Sequence, residues 1–80
     1  MHELGILYQA VRTVNRFAQE HHIAQIKHIT LEIGKDSGFV PVFLKKLFPV
    51  AAEHFSLVQH AKLNLLTVPV KSLQIKDIGY

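Results

Sequence analysis

Along residues 4–18 the apolar side chains Leu4, Leu7, Val11, Val14 and Ala18 recur every three or four positions, with Ile6, Ala10 and Phe17 widening the stripe. That is the helical period, and it predicts an amphipathic helix with one face in a core. Its last turn is expected at residues 20–22, where His21 and His22 would sit against the negative helix end, with Ile23 beyond it. Over residues 26–33 the pattern switches to alternation. Ile29, Leu31 and Ile33 take one face and His28, Thr30 and Glu32 the other, the signature of a strand with one buried face.

The stretch GKDSG (residues 34–38) is turn chemistry, and Pro41 suits the first position of a second helix. Phe43, Leu44, Leu47, Phe48, Ala51 and Phe55 supply that helix with its stripe. Pro49 falls inside it, removes a backbone donor and crowds the carbonyl of Lys45, which predicts a kink or two short helices. A second strand is expected over residues 61–68, with Ala61, Leu63 and Leu65 inward and Pro69 ending the regular pairing. Residues 70–78 are apolar enough for another strand.

No repeat, linker or low-complexity stretch divides the chain, so residues 1–80 read as a single domain. The expected class is α+β, with two helices packed on one face of a small two- or three-stranded sheet. Two strands alone are marginal, so a third must come from the tail or from a neighbouring chain. The second source would make a homodimer by strand exchange.

Composition narrows the function. With 49% hydrophobic and 19% charged residues the chain is globular in character, and no apolar run approaches the ~18 residues that span a bilayer. The start lacks the charged, apolar, small-residue order of an export signal, so a cytoplasmic location and no membrane association are expected. The formal charge is +3, but its lysines are scattered singly or in pairs without interleaved aromatics, which argues against nucleic acid as a partner. Cysteine is absent, which removes disulfides and thiolate metal ligands together.

Catalysis finds no support. Ser37, Ser56 and Ser72 lack motif context, and GKDSG is not the glycine-rich loop that cradles phosphate. The histidines do not assemble by spacing either. His21 and His22 project about 100° apart on a helix. His28 and Glu32 lie about 13 Å apart along a strand. His54 and His60 belong to no ligand pattern, and all are read as surface or partly covered residues.

The amino terminus is different. In Met1-His2-Glu3 the terminal amine, the backbone nitrogen of His2 and its imidazole are a few bonds apart and can close adjoining rings around one ion. The backbone nitrogen of Glu3, or its carboxylate, supplies a fourth donor. An all-nitrogen, nearly planar set favours Ni(II) or Cu(II) over tetrahedral Zn(II). The first N–H groups of a helix have no intrahelical acceptor, so deprotonating those of residues 2 and 3 breaks no helical bond. Met1 should be retained, because its removal requires a small second residue. On position alone the plainer reading is favoured, with His2 an exposed terminal residue and Glu3 an acid well placed in a first helical turn.

Four stretches change that balance. MHELGIL at the start, ITLEIGKDSGFVP across the first strand and turn, AKLNLLTVP in the second strand and LQIKDIG in the tail together resemble the hydrogenase-maturation nickel metallochaperone family (HypA/HybF). The resemblance covers nearly the whole chain. It implies a Ni(II)-binding domain of two helices on a sheet, with Met1, His2 and Glu3 as the ligands. It also implies a non-enzymatic role, the large subunit of a nickel-iron hydrogenase as destination and a nickel-handling GTPase as partner.

One departure stands out. The family continues into a zinc domain whose first ligand pair is Cys-x-x-Cys, and IKDIG aligns with that pair, placing Ile75 and Ile78 where cysteines would stand. Isoleucine cannot bind zinc, so zinc is not expected and the two side chains should pack as ordinary apolar residues. The expectation is a nickel domain with the zinc domain absent. The alternative is a metal-free, dimeric interaction or assembly module that kept the fold.

Overall fold

A computed structural model describes residues 3–80. The element order is α1 (Glu3–Glu20), β1 (His28–Gly34), α2 (Pro41–Ala52), β2 (Lys62–Val68) and β3 (Leu73–Gly79). The strands form one sheet in the order β2-β1-β3, with β2 parallel and β3 antiparallel to the central β1. The architecture is the expected α+β arrangement, and its third strand is the chain's own tail. Strand exchange is therefore not needed to complete the sheet.

The helical stripe of α1 buries Leu7, Val11, Val14 and Ala18. The helix ends in a Schellman arrangement: Ile23 N–H donates to Ala18 at 2.8 Å and His22 N–H to Gln19 at 3.3 Å. That closure puts His22 at φ 55°, the left-handed position usually given to glycine. The two histidines thus lie just past the helix instead of forming its last turn.

Strand β1 starts two residues later than the alternation suggests. Ile26 is buried but bonds outside the sheet, its N–H donating to Leu57 at 2.8 Å. Within β1, Ile29, Leu31 and Ile33 are each 1% exposed and form the centre of the core. Thr30, on the opposite face, is also buried, because Asn64 and Asp77 flank it from the neighbouring strands.

Helix α2 opens with Pro41 at its first turn and buries Leu44, Phe48, Ala51 and Ala52. Two expectations are corrected here. Pro49 does not divide the segment: α2 is one helix from Pro41 to Ala52. Pro49 and Lys45, whose carbonyl loses its helical donor, are both exposed residues, and only three helical residues follow Pro49. Phe43 is not part of the buried stripe and is 47% exposed, while Phe55 packs on the core from beyond the helix.

The connection from β2 to β3, residues 69–72, passes from one flank of β1 to the other across its carboxyl end. Gly34 makes that crossing possible. Its N–H donates to Ser72 at 2.6 Å, and a Cβ there would lie 2.6 Å from Ser72 N and 2.7 Å from Ser72 O, with Val70 O closer still. On the other side of the crossing, Lys35 N–H donates to Val68 at 2.7 Å.

Strand β3 carries an irregularity where the register steps from Thr30↔Asp77 to Leu31↔Ile75. Lys76 is the extra residue. Because of it Lys76 and Asp77 are both exposed, and Ile78 returns to the helix side opposite Ile29. Ile75 and Ile78 are half-buried and pack on the core, as apolar residues should.

Candidate metal site at the amino terminus

Of the three ligands expected at the amino terminus, Met1 and His2 lie outside the described residues. Glu3 is the first residue of α1. It stands one turn before Leu7 on the core-facing stripe and is only 9% exposed. Its acidic side chain at the positive helix end is electrostatically favourable. The backbone nitrogen at this position has no acceptor within the helix.

The position of this corner follows from how α1 lies on the sheet. Ile6 and Ala10 share a groove with Leu73 and Ile75, and further along Thr13 and Phe17 share one with Ile75 and Ile78. The helix therefore runs alongside β3 in the same direction and antiparallel to β1. Its first turn lies at the sheet end where β1 stops at Gly34 and residues 69–72 cross. The segment just past α2 meets α1 here, with the ring of Tyr8 5.3 Å from that of Phe55 and 5.8 Å from the imidazole of His54.

The remaining histidines do not gather. Among the described residues no group of three or more His, Cys, Asp or Glu side chains could hold a metal ion. His21 leans on Phe17 at 4.2 Å between ring centres. His28 lies over Gly79, where any Cβ would overlap the imidazole, and its Nε2 is 3.6 Å from Asp77 Oδ1. Spacing along β1 cannot reveal that partner, because it comes from β3 through a register set by the bulge. The same holds for Gln74, whose Nε2 donates to Glu32 Oε1 at 2.8 Å. Ile75 and Ile78 are half-buried and carry apolar side chains packed on the core.

Comparison with known proteins agrees with this fold and reaches to the first residue. The family model described as hydrogenase/urease nickel incorporation, metallochaperone, hypA matches residues 1–73. A hydrogenase maturation factor HypA from Trichormus variabilis is 36% identical over 69 residues, covering 86% of this chain and 58% of that protein. Its counterpart from Picosynechococcus is 36% identical over 70 residues, covering 88% and 61%. The chain thus spans about six tenths of the length of these relatives. The solution structure of the Ni metallochaperone HypA from Helicobacter pylori superposes with a TM-score of 0.77 at 14% identity, over 96% of this chain and 72% of that one, which shows a shared fold. The chain belongs to the HypA family of nickel-incorporation metallochaperones.

Proposed function

We propose that this protein binds Ni(II) at its amino terminus and carries it to a maturing nickel-iron hydrogenase in the cytoplasm. The observation that carries the reading is the family match extending over residues 1–73, which includes the Met1-His2-Glu3 start. The terminal amine, the His2 imidazole and the backbone nitrogens of His2 and Glu3 form the square, the Glu3 nitrogen being preferred to its carboxylate because an all-nitrogen planar set suits Ni(II). With both amides deprotonated the complex is neutral, so loading removes the ammonium charge from the positive end of α1. Release proceeds by ligand exchange. The hydrogenase large subunit is the recipient and a nickel-handling GTPase the partner in this reading.

The test is titration of untagged protein with Ni(II), followed by d–d absorption. A one-to-one planar complex is expected, lost on His2→Ala and on acetylation of the amine. Binding weakens as pH falls through the imidazole range near ~6.5, because the ligands must be free of protons. An undiminished signal after either change overturns the site. The alternative reading is a metal-free and dimeric assembly module, and Ile75 and Ile78, packed on the core in β3, are compatible with it. It predicts no planar nickel complex together with a stable dimer in sedimentation.

A further inference from the structure

The two free edges of the sheet are built differently. On β3 the extra residue Lys76 interrupts the regular ladder and exposes two charged side chains, a combination that discourages pairing with another strand. Strand β2 has no bulge, and its single charged residue, Lys62, stands at its first position. Its seven residues pair with β1 in unbroken register from His28↔Lys62 to Gly34↔Val68, and its proline, Pro69, lies past the end.

The ladder also fixes which backbone groups remain open. Lys62 N–H donates to Lys27 at 2.9 Å and Val68 O accepts from Lys35 at 2.7 Å, so the even-numbered residues of β2 face β1. By alternation the N–H and C=O groups of Leu63, Leu65 and Thr67 point away from the sheet. Beside them lies a cleft between β2 and α2, lined by Lys45, Phe48, Pro49 and residues 61–64. Its floor is apolar. Its charged lining residues are Lys45 and Lys62, with no acid. Pro49 contributes as well, because its missing N–H leaves the carbonyl of Lys45 without its helical donor.

From this combination we propose that the outer edge of β2 is a strand-addition site for an extended acidic segment of a partner protein. The segment pairs with the open groups of Leu63, Leu65 and Thr67, sets an apolar side chain against Phe48 and Leu63, and places carboxylates beside Lys45 and Lys62. Main-chain pairing supplies affinity and the two ammonium groups supply the preference for acid. A second copy of β2 does not fit that role, since residues 61–68 contain no acidic side chain. The surface is separate from the amino-terminal corner, so its use does not depend on nickel.

The probe is a capped heptapeptide alternating glutamate and valine, with a lysine-valine peptide as control, added to isotope-labelled, metal-free protein. The acidic peptide is expected to shift amide resonances in β2 and residues 45–49 and to slow hydrogen exchange at Leu63, Leu65 and Thr67. The lysine peptide is expected to leave them unchanged. Lys45→Glu with Lys62→Glu should weaken binding at least tenfold, with exchange elsewhere in the sheet unaltered. Thr67→Pro removes an outward N–H without removing a bond to β1 and should abolish protection at the edge. Equal binding of both peptides, shifts centred outside β2 and residues 45–49, or no binding at millimolar peptide overturns the proposal. So does protection of the same amides by self-association without peptide.

Discussion

His22 and Gly34 are two positions where backbone geometry decides the residue type, and they violate or obey it in opposite ways. The Schellman closure of α1 holds His22 at φ 55°, where a Cβ crowds the backbone. His22→Gly should therefore stabilise the fold by about 0.5–1 kcal/mol, measured as a raised denaturation midpoint at unchanged slope. Gly34 is the reverse case. A methyl group there overlaps the backbone of Val70 and Ser72, neither of which can swing aside as a side chain would. Gly34→Ala should cost about 2–3 kcal/mol, and exchange protection should fall first at the bond from Gly34 to Ser72.

At the scale of elements, α2 shows what a pattern reading catches and what it misses. The apolar positions Leu44, Phe48 and Ala51 identified the helix and its buried face, because a period of three to four residues is a property of sequence alone. Whether Pro49 breaks the helix was not legible there. The outcome depends on which way the freed carbonyl faces and how few residues follow, and both are tertiary facts. Pro49→Ala restores the missing backbone bond on an exposed face, so it should raise stability by roughly 1–3 kcal/mol in thermal unfolding. Phe43 misled for a related reason, since its spacing fits the stripe as well as that of Leu44. Strand β3 was legible as a strand but not in its register. The extra residue at Lys76 sends Ile78 inward and brings Asp77 to His28, and alternation by itself would have exchanged those two roles. For the candidate site the limit lay elsewhere: the chelate proposed for Met1-His2-Glu3 is local to three adjacent residues, so it was argued from sequence, and Met1 and His2 lie outside the described residues. What structure added is the place of Glu3 as the first residue of α1, one turn before the buried Leu7.

At the scale of the whole molecule, the family match and the folding unit do not end at the same place. The match stops at residue 73, where β3 has only begun. Yet Leu73, Ile75 and Ile78 pack on the core, and β3 covers one flank of the central strand. Half-burial of three large aliphatic side chains contributes roughly 3–4 kcal/mol, before the backbone bonds to β1 are counted. A domain of this size holds only about 5 kcal/mol in all. A chain cut after Ser72 would keep both helices and a two-stranded parallel sheet, a combination too small to bury its own apolar face. It should lose cooperative unfolding and dispersed amide resonances, while its first three residues keep the proposed nickel chelate. Folding and metal binding would then separate in one molecule: a truncated chain with the planar nickel spectrum but no thermal transition. A truncated chain that still melts cooperatively would show instead that α1, α2 and the β1–β2 pair form the stable unit and that β3 is an addition to it.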